Sequence, residues 1–362
     1  MATPIQLPVI DISDPLNAAV GKDMLDAAIK YGFFYVHGKG SDFSAAEVDS
    51  TFELSKKFFA LPKEEKEKCT IRTDNRGWSG MHSEILDPEH QRTGDFKEAL
   101  NFGEFKDGKL QQPIPPALEP HEADIKHFTE LCNKTCARVM RLLALGLEIN
   151  SEFFVTRHDA SQGETGCVLR FLYYPSINSP ASSSYQHDID VRAGAHSDYG
   201  TITLLFQRPG QPGLEILTSG DTWAPVPVWP EGATSAKDDF PPILINIGDM
   251  LSFWTNGLLK STIHRVVFPM AERNPSSSSA KPQDRYSVVF FCHPVNECNL
   301  VPPVPSPLVT AAVAATATGG TESGNKVGFG GGAGSLRERS SMTAKEYLDM
   351  RLSATYGQRE EA

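Results

Sequence analysis

Of the ten histidines in this 362-residue chain, one opens a His-x-Asp triplet, His196-Ser197-Asp198 in AHSDYGTITLLFQ. In extended backbone, residues i and i+2 project to the same side, so the His196 imidazole and the Asp198 carboxylate can meet at one point. A second imidazole is available from His264, in the strand-like run KSTIHRVVF. Two imidazole nitrogens and one carboxylate oxygen on one face of an octahedral ion leave three positions open. That donor set suits Fe(II) that must admit other ligands, and not a closed structural zinc site. Each part is weak alone. HxD is frequent by chance, and a strand histidine is more often a hydrogen-bonded core residue than a ligand. His82-Ser83-Glu84 competes as an HxE but lies in sequence without strand character.

What strengthens the triad is its neighbour, Arg285-Tyr286-Ser287, on the next strand-like run. Arg285 and Ser287 share a strand face, so a guanidinium and a hydroxyl can grip one carboxylate. The planar fork and permanent charge of arginine match that task. The bland alternative is a surface ion pair.

The elements that would position these groups divide the chain in two. Leu7–Ile12 and Phe33–His37 read as short strands, and residues 18–32, 44–59 and 63–68 as helices, with Pro62 suited to a helix start. Residues 70–116, rich in Gly, Pro, Asp and Asn, read as irregular, and 117–157 as a long helical region. From Cys167 onward, β-rich runs recur at 167–174, 200–207, 213–217, 223–228, 243–247, 251–254, 262–268 and 286–292. Short strands at this spacing predict an α+β chain: an antiparallel barrel or jelly roll wrapped by a helical N-terminal half. The expected regions are a mostly helical 1–160, a β core over 161–300, a low-complexity, flexible insertion over 302–341, and a C-terminal helix within 342–362. That helix, about 343–356, would be capped by Thr343 or Ser341. The Ser-rich stretch 271–284 is expected to be a mobile loop.

Composition narrows the partners. A net charge of −11 offers no basic stripe for phosphate, so no nucleic-acid partner is expected. No apolar run reaches the ~18 residues of a membrane span, and the first residues lack a secretory pattern. The six cysteines form no CxxC pair and read as buried thiols in a reducing, cytoplasmic compartment. Oligomeric state is not legible.

Ordered matches run through most of the chain: LPVIDIS and YGFFYVHGKG, GDFKEALNFG, LRFLYYP, AHSDYGTITLLFQ, NIGDMLSFWTNGLLKSTIHRVV, RYSVVFFCHP and AKEYLDMRLSATY. On these motifs the sequence resembles the 2-oxoglutarate/Fe(II)-dependent dioxygenases, in the branch that includes isopenicillin N synthase, with insertions like those of fungal members. The resemblance implies a double-stranded β-helix (jelly roll) core. It implies His196, Asp198 and His264 as Fe(II) ligands, Arg285 and Ser287 as the clamp for the distal carboxylate of 2-oxoglutarate, and Tyr173 as a clamp hydroxyl. Leu172 departs from the asparagine many plant members carry. The implied reaction uses dioxygen and 2-oxoglutarate to hydroxylate, desaturate or cyclise a small organic metabolite, releasing succinate and CO2. Arg76 and Trp78 (in NRGW), Phe102, Phe206, Phe291 and His293 are the candidate substrate contacts. Each could equally be a core residue. Their aromatic character suits a small ring-bearing metabolite, and the fungal likeness points to secondary metabolism or nucleobase hydroxylation. Two other readings stay open: an Fe(II) oxidase of the same fold that uses no 2-oxoglutarate, and a β-barrel binding protein without catalysis.

Overall fold

Along Val168–Tyr174 and Arg285–Cys292, successive side chains fall into two separate cores. Leu169, Phe171, Val288 and Phe290 join one, while Leu172, Tyr174 and Val289 join the other. This alternation is what a strand buried on both faces must show, and it defines the layers of the molecule. The computed structural model describes residues 3–38, 40–187, 189–233, 239–273, 282–318 and 341–356.

In chain order the strands are β1 (Val9–Ile10), β2 (Phe33–Val36), β3 (Gly77–Ser79), β4 (Glu98–Phe102), β5 (Phe105–Lys106), β6 (Lys109–Leu110) and β7 (Val168–Tyr174). They continue as β8 (Ala193–His196), β9 (Ile202–Gln207), β10 (Leu214–Leu217), β11 (Trp223–Pro225), β12 (Ile243–Ile247), β13 (His264–Val266) and β14 (Arg285–Cys292). The helices are α1 (Ala18–Lys30), α2 (Ala45–Phe59), α3 (Lys63–Glu67), α4 (Glu122–Gly146), α5 (Asp249–Trp254), α6 (Met270–Arg273), α7 (Pro307–Thr318) and α8 (Ala344–Tyr356). A major sheet of eight strands, ordered β1-β2-β12-β9-β14-β7-β4-β3, faces a minor sheet ordered β11-β10-β13-β8. The two sheets form a jelly roll, and their pairings are antiparallel apart from β1 with β2. The outer core sits between the major sheet and α1, α2 and α4. The inner core, between the sheets, includes Leu214, Ile216 and Val266 of the minor sheet. Its polar end is where the chemistry lies.

Three expectations change. Residues 251–254 are helical, as the end of α5, because Gly248 enters extended and Asp249 occupies the first turn; four apolar residues in a row do not separate the two periods. The stretch 70–116 holds β3, β4 and a β5–β6 hairpin turned by Asp107 and Gly108, both at positive φ, a conformation Asp-Gly favours. The region 302–341 begins with a capped helix: Pro307 opens α7 and Ser306 Oγ accepts from Leu308 N at 3.1 Å. The remainder of that expected flexible segment, 319–340, and 274–281 of the Ser-rich stretch lie outside the described residues. The expected strands at Leu7–Ile12 and Phe33–His37 form as β1 and β2, and with β3 and β4 they belong to the major sheet. At the C-terminus Thr343 is the cap: its Oγ1 accepts from Glu346 N at 3.2 Å while Glu346 Oε2 accepts from Thr343 N at 2.8 Å, a reciprocal capping box.

Candidate metal centre and its two chambers

Antiparallel pairing of β8 with β13 sets His196 directly opposite His264, with ring centroids 4.3 Å apart. Asp198 follows in the segment leading to β9. Its Oδ1 lies 3.9 Å from His196 Nε2 and 3.7 Å from His264 Nε2, and the three donor atoms all fall within 4.8 Å of one another. Among the described residues no other trio of His, Cys, Asp or Glu gathers this closely.

The surroundings fix which atom of each ligand faces inward. His196 Nδ1 donates to Gly194 O at 2.7 Å and His264 Nδ1 to Thr262 O at 3.1 Å, so each Nε2 offers a lone pair to the centre. Burial, reinforced by the neighbouring His264, pushes the His196 imidazole down to about 3, which keeps it neutral and able to ligate. Asp198 Oδ2 accepts from Thr203 Oγ1 and Asn246 Nδ2, both at 2.7 Å, leaving Oδ1 for a metal. Thr203 and Asn246 are cross-strand partners on β9 and β12, so the sheet register delivers both donors together. Burial disfavours the charged form of Asp198, yet the facing imidazoles and these two donors hold its carboxyl below the usual range. Thr203→Val keeps the shape and removes one donor; it is expected to weaken Fe(II) binding about tenfold in anaerobic titration. An unchanged affinity would show that the Oδ2 anchors are dispensable.

Two chambers adjoin the triad, with His196 and Asp198 lining both and His264 the inner one. The inner one, about 600 Å³, lies between the sheets and includes Leu172, Tyr174, Arg285, Ser287, Leu214 and Val266. Arg285 and Ser287 are 2% and 1% exposed, and an Arg285 Nη1 donates to Ser287 Oγ at 3.3 Å. Arg285 has no carboxylate within ion-pair distance, and its Nε no hydrogen-bond partner, among the described residues. A buried cation left in this state is costly, and a ligand carboxylate is the natural partner.

The tyrosine that faces Arg285 is Tyr174, not Tyr173. β14 pairs with β7 so that Arg285 stands opposite Tyr174, whose ring lies 4.9 Å from the guanidinium. Tyr173 points to the outer core, stacked on Phe59 at 5.6 Å and near Tyr286. Adjacent strand residues face opposite ways, and the doubled tyrosine of LRFLYYP does not say which faces in. Tyr174→Phe is expected to raise the 2-oxoglutarate KM several-fold while Tyr173→Phe leaves it within about twofold; the reverse ranking would refute this placement.

The outer chamber, about 570 Å³, shares His196 and Asp198 with the inner one and includes Asn75, Arg170, Tyr199, Phe291, His293 and Leu348. Of the six residues expected here, Phe291 and His293 line it. Phe102 and Phe206 do not: they lie in the outer core, Phe102 against Phe171 at 5.0 Å and Phe206 against Phe43 at 4.9 Å. Trp78 is turned away as well, donating from Nε1 to Glu98 Oε2 at 2.8 Å. Arg76 lies against Gly103, outside both chambers. Its neighbour Asn75 takes the chamber position, at φ 61°, held by Asn101 Nδ2 donating to its carbonyl at 2.8 Å. Asn101 Oδ1 in turn accepts from Arg170 Nε at 2.6 Å. The missed signal was Arg170 itself: a charge inside an apolar strand, in phase with Leu172 and Tyr174.

Comparison with known proteins agrees with this geometry. Residues 7–122 match the model of the non-haem dioxygenase N-terminal region (named for morphine synthesis), and 165–294 that of the 2OG-Fe(II) oxygenase superfamily. A UPF0676 protein of Schizosaccharomyces pombe is 33% identical across 98% of this chain and 94% of its own. The 2-oxoglutarate-dependent dioxygenase frbA of Dothideomycetidae sp. is 30% identical over 75% of this chain and 79% of its own. A full-length Neurospora crassa protein, crystallised in complex with alpha-KG and thymine, superposes with a TM-score of 0.72 at 27% identity, covering 97% of both chains. The chain belongs to the 2-oxoglutarate/Fe(II)-dependent oxygenases. It is an oxidoreductase whose cofactors are Fe(II) and 2-oxoglutarate, and His196, Asp198 and His264 have the donor chemistry for the iron. No helix among the described residues is long and apolar enough to cross a membrane.

Proposed function

We propose that this oxygenase hydroxylates a small, flat, uncharged ring seated in the outer chamber. His196, Asp198 and His264 hold Fe(II), while Arg285, Ser287 and Tyr174 hold the distal carboxylate of 2-oxoglutarate. Bound together, iron and cosubstrate supply dioxygen activation, with 2-oxoglutarate converted to succinate and CO2. The protein's own share is placement and exclusion of water. Arg285 anchors the cosubstrate from the inner side, and Phe291, which lines both chambers, stands where the two meet.

The observation that carries the substrate class is how the chamber's charge is matched. Beyond the triad, Arg170 is the charged group of its wall, and Glu84 lies 3.6 Å from it, itself 3.0 Å from Lys97. With that cation already answered, an acidic substrate gains little there, whereas a neutral carbonyl can accept from Arg170 and a ring N–H can donate to the Asn75 side-chain oxygen. Tyr199, Phe291 and His293 supply flat faces. The thymine in the Neurospora crassa structure has this character. A cytoplasmic location is part of the same reading, supported by six cysteines that are all free.

The test is succinate release under oxygen with thymine and related pyrimidines beside amino acids and acidic metabolites, with product analysed by mass. Succinate coupled to a base that gains one oxygen is the expected result. Coupling only to an acidic substrate would sink the ring assignment.

A further inference from the structure

Two buried groups at the metal-ligand segment have no part in the chemistry above: Ser197, between His196 and Asp198, and Asp249, which packs on that segment from the first turn of α5. Ser197 Oγ donates to Asp249 Oδ2 at 3.0 Å and Ser261 Oγ to Oδ1 at 2.6 Å, while Asp249 N donates to Asp198 O at 2.7 Å. The remaining partner arrives from the far end of the chain. Arg351 of α8 places Nη2 2.8 Å from Asp249 Oδ2, and the two side chains are 8% and 0% exposed. The same guanidinium lies 5.2 Å from the ring of Tyr199, a wall of the outer chamber.

The helix that carries Arg351 is also part of that wall. Leu348 and Leu352 of α8 line the chamber. Leu348 packs against Gly166 so closely that a Cβ there would stand 2.7 Å from Leu348 Cδ2. Tyr347, 1% exposed, seals the helix from behind against Phe253 at 5.4 Å. An exposed ion pair would be an incidental fastening. A dry one is different, because removing one member strands the other as an unpaired buried charge. Without Arg351, that charge would sit one backbone hydrogen bond from a metal ligand. Closure of α8 and settling of the 196–198 segment are therefore linked through one carboxylate.

We propose that Arg351 and Asp249 are positioning residues that latch α8 onto the metal-ligand segment, so that the wall of the substrate chamber closes when the metal is held. The inference rests on the assignment of His196, Asp198 and His264 as ligands.

Linkage is reciprocal, so it can be read from either end. The probe is Mn(II), which takes the same imidazole and carboxylate donors, added to the full chain. Hydrogen exchange of the α8 amides is followed with and without Mn(II), and Mn(II) affinity is measured for wild type, Arg351→Met and Arg351→Lys. Metal is expected to slow α8 exchange about tenfold in the wild type. Arg351→Met should weaken Mn(II) binding about tenfold and erase that protection, with Arg351→Lys recovering part of both. If Mn(II) binds the wild type yet α8 exchanges as before, the latch is overturned and the metal site stands. If Mn(II) does not bind, the ligand assignment falls and the latch with it. Should Arg351→Met fail to fold, the wild-type exchange arm decides alone.

Discussion

Replacing His264 by alanine is expected to abolish succinate production, by on the order of 10³-fold or more, while the folded state persists. The two halves of this result have separate causes. His264 Nε2 is one of three donors to the metal, and the two that remain, His196 and Asp198, cannot define a facial site alone. The fold does not depend on it to the same degree. Beyond the triad, its side chain is held by the Nδ1 bond to Thr262 O and an edge-on contact with Phe33, centroids 5.5 Å apart, and β13 keeps its pairing with β10. Circular dichroism, metal content and succinate release together check the prediction. Full turnover by His264→Ala would remove the residue from the site.

Arg285→Ala is the second large effect, and it should fall on one ligand only. Truncating one partner of a buried charged hydrogen-bonded pair costs about 2–5 kcal/mol, or roughly 30- to 4,000-fold in affinity. That loss is expected in the KM for 2-oxoglutarate, with the substrate KM little changed, because Arg285 lines the inner chamber and not the outer one. Thermal stabilisation by 2-oxoglutarate should vanish with it, since a ligand raises the melting point only through its affinity for the native state. Arg285→Lys keeps the charge, loses the fork and should recover part of the binding. An unchanged 2-oxoglutarate KM in Arg285→Ala would assign the clamp elsewhere.

The parts of this site legible in the sequence are those bound to local spacing. His196 and Asp198 are two residues apart, as are Arg285 and Ser287, and such intervals place side chains before any tertiary structure is known. Joining His264 to His196 required knowing that β13 pairs with β8, which neither segment encodes by itself. The aromatic candidates show the opposite failure. Phe102 and Phe206 are candidates only by place in a family pattern, and strand phase sends both to the outer core with Phe171 and Phe43. Tyr173 and Tyr174 differ by one position and face opposite ways, so composition alone could not choose between them. The walls formed by Asn75, Leu348 and Leu352 come from a turn and a distant helix, and only the packed chain brings them to β7. α5 is not legible as a helix because a six-residue element at a Gly-Asp entry carries too little periodicity to identify.

Four of the eight strands of the major sheet precede residue 160 and four follow it, the later four forming the middle of the sheet so that β12 borders β2 and β7 borders β4. Segments exchanged between relatives at that midpoint would bring strand edges from different parents into register. A recombined chain would survive only where β2 still fits β12 and β4 still fits β7. The seams that breeding such enzymes must respect are those two edges, not the point where one recognisable half of the sequence gives way to the next.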